Sequence, residues 1–145
     1  KGLVFDVCAR ADQLPIVREL AMACDNTKMV LNHCGNPDIV NDEIETWSKD
    51  ISALARLPNM FCKLSGVVPK SVGDQLDFAS IDPYVAHLLE TFGAQRMVWG
   101  SDWPVVNRAG GLAQWGKATQ GILQRLSDDE ATAIAHQTAE RLYGV

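Results

Sequence analysis

Four times along this chain a short apolar run gives way to a segment with apolar residues at helical spacing, and this alternation limits the fold more than any other feature. The runs are Leu3–Cys8, Met29–His33, Met60–Ser65 and Met97–Gly100, each of strand length and bounded by turn formers. The first helix is expected over Gln13–Cys24, with Leu14, Val17, Leu20, Ala21 and Cys24 on one face and Asp12 as its cap. The second spans Ile44–Arg56, with Ile44, Trp47, Ile51, Leu54 and Ala55 facing inward. After a longer loop through Gly73 and Asp77, Asp82 and Pro83 are expected at the N-cap and N1 of a third helix that Gly93 stops. A fourth helix covers Leu112–Leu126. Ser127 with Glu130 forms a capping box for a last one ending at Tyr143-Gly144. Strands that alternate with helices are parallel βα units, so the chain is read as a single α/β domain.

Four such units suit either an open doubly wound sheet or half of an eight-stranded barrel. No glycine-rich phosphate loop follows any strand, which argues against dinucleotide binding. The first strand begins almost at residue 1 and is apolar on both faces, so it is expected to have neighbours on both sides and sequence upstream.

Composition narrows the function. The 145 residues are 47% hydrophobic and 21% charged, enough for one core, and the net charge of −5 with scattered Lys and Arg argues against a nucleic-acid surface. No apolar run reaches the ~20 residues of a membrane span, and no secretory leader pattern is present. Cys8, Cys24, Cys34 and Cys62 form no CxxC pair. A reduced, cytoplasmic setting is therefore expected, with Cys8, Cys34 and Cys62 acting as small buried hydrophobes.

The chemistry concentrates at two strand ends. Met97-Val98-Trp99 runs into Gly100-Ser101-Asp102-Trp103-Pro104, which delivers a carboxylate to the end of a strand, where parallel sheets carry catalytic groups. Asp102 is thus a candidate base, or else a turn aspartate. Met29-Val30-Leu31 runs into Asn32-His33-Cys34-Gly35-Asn36-Pro37, placing His33 at a second strand end, as a site residue or as a histidine bonded to backbone. Arg10, after the first strand, suits a substrate carboxylate or a solvated loop. Lys63 and Ser65 share a strand face, so Lys63 is either a substrate contact or a member of an ion pair, and Ser65 lies beside it. Trp103 and Arg108, in the loop after Asp102, are candidates for the pocket wall and for specificity. His87 and His136 fall within helices and are read as structural.

Taken together, Gly2-Leu3-Val4-Phe5-Asp6 with Leu14-Pro15, Val30-Leu31-Asn32-His33-Cys34-Gly35-Asn36-Pro37, Cys62-Lys63-Leu64-Ser65-Gly66 and Trp99-Gly100-Ser101-Asp102-Trp103-Pro104 resemble the C-terminal half of the amidohydrolase-2 family of the amidohydrolase superfamily. That family includes sugar lactonases and 2-pyrone-4,6-dicarboxylate lactonase. The resemblance implies a TIM-type (β/α)8 barrel of which residues 1–145 supply the last four βα units, the N-terminal half being absent. It places a His-x-His pair on a strand upstream of Lys1. It matches Asp102 to the last-strand aspartate, the general base for water, and His33 to the mid-barrel histidine, which polarises a carbonyl or binds metal. In metal-using relatives both residues hold a divalent ion such as zinc, whereas other relatives use no cofactor. The implied activity is hydrolysis of a cyclic ester, from a sugar acid or an aromatic-degradation intermediate. Alternatives are a metal-dependent decarboxylase or amide hydrolase of the same superfamily, or an inactive truncated half-barrel. The expected partner is a small-molecule substrate, with no nucleic acid and no membrane; the sequence leaves the oligomeric state open.

Overall fold

Each apolar run forms a strand, and each strand stops short of its polar end. The computed structural model describes residues 2–41, 44–67 and 78–145. Strands β1 (Phe5–Val7), β2 (Met29–Leu31), β3 (Met60–Leu64) and β4 (Met97–Trp99) pair in parallel, in the order of the sequence. The register sets Asp6 against Val30, Val30 against Phe61, and Lys63 against Val98. This order has no reversal. A doubly wound sheet needs one, because its ligand crevice forms where successive crossovers run in opposite directions, whereas a barrel adds each strand to the same side of the last. The four units are therefore wound as a barrel sector.

The strand faces divide two apolar clusters. Met29, Leu31, Met60, Cys62, Leu64 and Met97 point toward helices α1 (Leu14–Ala23), α2 (Ile44–Ala55), α3 (Phe78–Phe92) and α4 (Gly111–Leu123), and form the main core with Leu14, Trp47, Ile51, Leu88 and Trp115. On the opposite face Val30 and Val98 meet Leu142, with Val4, Phe61 and Ala139 packed around them. Leu142 belongs to the last helical segment, made of α5 (Asp128–Thr132), a π-helical turn at Ala133–Gln137 and α6 (Thr138–Tyr143). The Arg96 guanidinium ties the helices to the sheet: it donates to the Ala55 carbonyl at 2.7 Å and the Phe92 carbonyl at 3.1 Å, the ends of α2 and α3. Ser127 accepts from the Glu130 N–H and the Glu130 carboxylate accepts from the Ser127 N–H, the expected capping box.

Several local expectations are corrected. Asp12 does not cap α1. It lies inside a 3-10 turn, Ala11–Gln13, and its carboxylate takes both forks of Arg10. Pro83 is not at N1, because α3 begins at Phe78, and Asp82 instead accepts two hydrogen bonds from Arg125. The second strand ends at Leu31, not His33, since the backbone turns left-handed there. Cys34 and Cys62 are buried as expected, but Cys8 is exposed. The loop through Gly73 and Asp77 lies outside the described residues. Among the described residues no helix is long and apolar enough to cross a membrane.

Candidate active site

The left-handed turn after β2 has four successive residues at positive φ: His33 at 54°, Cys34 at 54°, Gly35 at 72° and Asn36 at 48°. Only glycine adopts this region without cost, so His33, Cys34 and Asn36 must be held there by their surroundings. The restraints are visible. The Asn36 N–H closes the turn on the His33 carbonyl at 2.8 Å, and Asn36 Nδ2 reaches the Ala9 carbonyl at 2.7 Å. From α2, Trp47 Nε1 donates to the Cys34 carbonyl at 2.9 Å, while the Cys34 thiol donates to the Lys63 carbonyl at 3.3 Å. A side chain on Gly35 would meet Leu14 at 2.8 Å, so glycine is required there on two counts.

The loop after β4 is built alike. Asp102 has φ 55°, its carbonyl accepts from the Val106 N–H at 2.9 Å, and Trp115 Nε1 of α4 donates to the Gly100 carbonyl at 2.9 Å. One tryptophan N–H from a flanking helix thus ties down each loop.

These two turns bring His33 and Asp102 together. His33 Nε2 lies 3.7 Å from Asp102 Oδ1, beyond hydrogen-bond length, and the side chains are 26% and 17% exposed, so both remain open to a ligand. On the other side of the ring, His33 Nδ1 is 2.9 Å from the Ser65 hydroxyl. The ring rests on Gly66, where a Cβ would come within 2.7 Å of His33 Cβ and 2.8 Å of Nδ1. Neighbouring Asn32 has a buried Oδ1 with no hydrogen-bond partner among the described residues.

The other candidates take different positions. Ser65 is fully buried behind the histidine. Lys63 forms an ion pair with Asp6, whose other oxygen accepts from the Tyr143 hydroxyl at 2.9 Å. Burial, and then the Asp6 carboxylate, push that phenol well above its ordinary pKa. Arg10 is 70% exposed and paired with Asp12, which raises its own pKa and lowers that of Asp12. Trp103 is 68% exposed, and Arg108 is exposed in the 3-10 turn Val105–Ala109. His87 is structural, with Nε2 between Ser52 Oγ at 3.0 Å and the Ser48 carbonyl at 2.9 Å, and His136 pairs with Glu140 on the surface. The clamping roles of Trp47 and Trp115 and the seat at Gly66 were not apparent from the sequence, where Trp47 reads only as an inward-facing position of its helix.

Two donors on one tetrahedral zinc at about 2.0–2.1 Å stand roughly 3.3 Å apart. His33 Nε2 and Asp102 Oδ1 are near that spacing and are of the right chemistry, so they fit as two ligands of one ion. No group of three or more metal-ligating side chains occurs among the described residues.

Comparison with known proteins settles the family. The amidohydrolase family model matches residues 1–145. The chain belongs to the amidohydrolase family. Within it, the chain is 36% identical over 114 residues to an L-fucono-1,5-lactonase of Burkholderia ambifaria, covering 79% of this chain and 39% of that protein. It is 32% identical to an L-fucono-1,5-lactonase of Burkholderia multivorans, covering 98% of this chain and 51% of that one. A Burkholderia multivorans amidohydrolase solved with bound zinc superposes with a TM-score of 0.91 at 31% identity, over 98% of this chain and 52% of the other. A 2-pyrone-4,6-dicarboxylic acid hydrolase from Pseudomonas putida shares the fold at 19% identity, with a TM-score of 0.81. The chain spans about half the length of these amidohydrolase relatives or less.

Proposed function

We propose that this chain is the C-terminal part of a hydrolase that opens the lactone of a sugar acid, with Asp102 as base and His33 as the group that polarises the ring carbonyl. The carrying observation is the approach of His33 Nε2 to Asp102 Oδ1 at 3.7 Å, both on left-handed backbone at strand ends and both reachable from outside. Backbone strain of this kind persists where a site needs a particular side-chain direction.

The chemistry follows. The Asp102 carboxylate takes a proton from water as the water oxygen bonds to the lactone carbonyl carbon. A hydrogen bond from His33 Nε2 steadies the oxygen that becomes negative. Collapse breaks the ring C–O bond, the proton on Asp102 passes to the departing alkoxide, and a hydroxy acid leaves. Where a divalent ion is bound, His33 and Asp102 are the residues of this chain that would hold it, and it supplies Lewis-acid polarisation. The lactonase relatives support the substrate class.

The test is turnover of L-fucono-1,5-lactone by the full-length protein, with zinc content measured alongside. Asp102→Asn is expected to lower kcat by at least ~10²-fold with folding unchanged. Near-normal turnover in the variant removes Asp102 from the chemistry.

A further inference from the structure

The surroundings of each histidine state which ring nitrogen carries the proton. His87 Nε2 faces the Ser48 carbonyl at 2.9 Å, and a carbonyl only accepts, so that nitrogen bears the hydrogen. His136 Nδ1 faces the Glu140 carboxylate at 3.0 Å, so there the hydrogen is on Nδ1. His33 differs, because its Nδ1 meets the Ser65 hydroxyl, a group able to donate or accept.

Two observations decide between these. Ser65 has no exposed surface, and among the described residues His33 is its hydrogen-bond partner; if the hydroxyl accepted from Nδ1, its own hydrogen would be buried with no acceptor. Across the ring, Nε2 points toward the Asp102 carboxylate at 3.7 Å, a neighbour that attracts an N–H and repels a lone pair. Both favour the same arrangement. The seat is also rigid, since Gly66 leaves no space for the ring to move back and Gly100 packs against Ser65 Cβ, where an added Cβ would lie at 3.2 Å.

We propose that Ser65 is a positioning residue whose hydroxyl donates to His33 Nδ1 and holds the imidazole as the neutral Nε2–H tautomer, aiming an N–H donor at the space beside Asp102. The consequence for catalysis rests on the lactone-opening reading above; the tautomer itself does not. Ser65 never touches substrate. It decides whether His33 offers an N–H or a lone pair to the carbonyl oxygen. A metal on Nε2 would require the opposite tautomer, in which the hydroxyl accepts from Nδ1 and its own buried hydrogen is left without an acceptor.

The experiment is long-range nitrogen–proton NMR on the full-length protein labelled with 15N-histidine and freed of metal with EDTA. His33→Asn identifies the His33 signals, and His87 and His136 serve as Nε2–H and Nδ1–H references. The expected result is a pyrrole-type Nε2 and a pyridine-type Nδ1 at His33, with the Nδ1–H share rising severalfold in Ser65→Ala. An Nδ1–H tautomer in the unmodified protein, or an unchanged ratio in Ser65→Ala, overturns the proposal. In parallel, Ser65→Ala is expected to lower kcat for the lactone by roughly ten- to a hundredfold while KM stays nearly constant, and Ser65→Thr, which keeps the hydroxyl, to restore much of it. If the unmodified protein shows the expected tautomer but does not open the lactone, the functional reading fails and the role of Ser65 stands.

Discussion

His33 and Asp102 reach one another because the backbone bends the wrong way at both. A β-strand continued to His33 would alternate His33 and Cys34 across the sheet, whereas the left-handed turn closes on itself and sends Cys34 into the core beneath Trp47 while the imidazole settles on Gly66. Gly66, at φ 64°, and Gly93, at φ 68°, separate two costs. A Cβ on Gly93 meets nothing within 4 Å, whereas one on Gly66 strikes the His33 ring. Both alanine variants should lose about 1–2 kcal/mol from the left-handed backbone. Gly66→Ala should also abolish most turnover, while Gly93→Ala should leave turnover intact; denaturant melts paired with lactone assays check this, and equal activity in the two variants would mean the ring has room to shift.

At the scale of elements, helices α2 and α4 do more than cover the sheet. Each sends one tryptophan N–H to a carbonyl in a site loop: Trp47 to Cys34 and Trp115 to Gly100, both rings 1% exposed. Phenylalanine retains most of the apolar bulk but leaves the carbonyl without its donor, so Trp47→Phe and Trp115→Phe should each cost about 1–3 kcal/mol. Urea titration measures this. A change below ~0.5 kcal/mol in both variants would show that water replaces the indole and that the loops are held by other means. Pro83 inside α3 shows how far tertiary contacts override local signals: Asp-Pro reads as a helix start, yet the helix begins at Phe78 and Asp82 is used to bind Arg125.

Over the whole molecule, the sheet has β1 and β4 each paired on one side among the described residues, and Leu3, just before β1, and Phe5, its first residue, are 80% and 50% exposed. The face opposite the helices is only partly covered, by Leu142 packing on Val30 and Val98 and by the Asp6–Lys63–Tyr143 cluster. Unpaired strand edges beside exposed apolar side chains are a template for association. The 145-residue polypeptide expressed alone should therefore elute as oligomers, bind a hydrophobic dye and lack lactonase activity. A sharp monomer peak without dye binding would indicate that the strand edges and open face are adequately shielded.

Much of this is legible in the sequence. Strand and helix periods, the Ser127–Glu130 capping box and the two strand ends bearing His33 and Asp102 are local patterns, each determined by side chains within a few residues of one another. The sequence order of the strands required tertiary structure, because the periods of an open sheet and of a barrel are the same and only the placement of crossovers separates them. The site needed it too. Ser65 lies 32 residues from His33 and Lys63 lies 57 from Asp6, so one became the support of a histidine and the other half of an ion pair through contacts that no local pattern encodes. A sequence states what each side chain is able to do; burial and the partner that the fold brings within 3 Å decide which of those things it does.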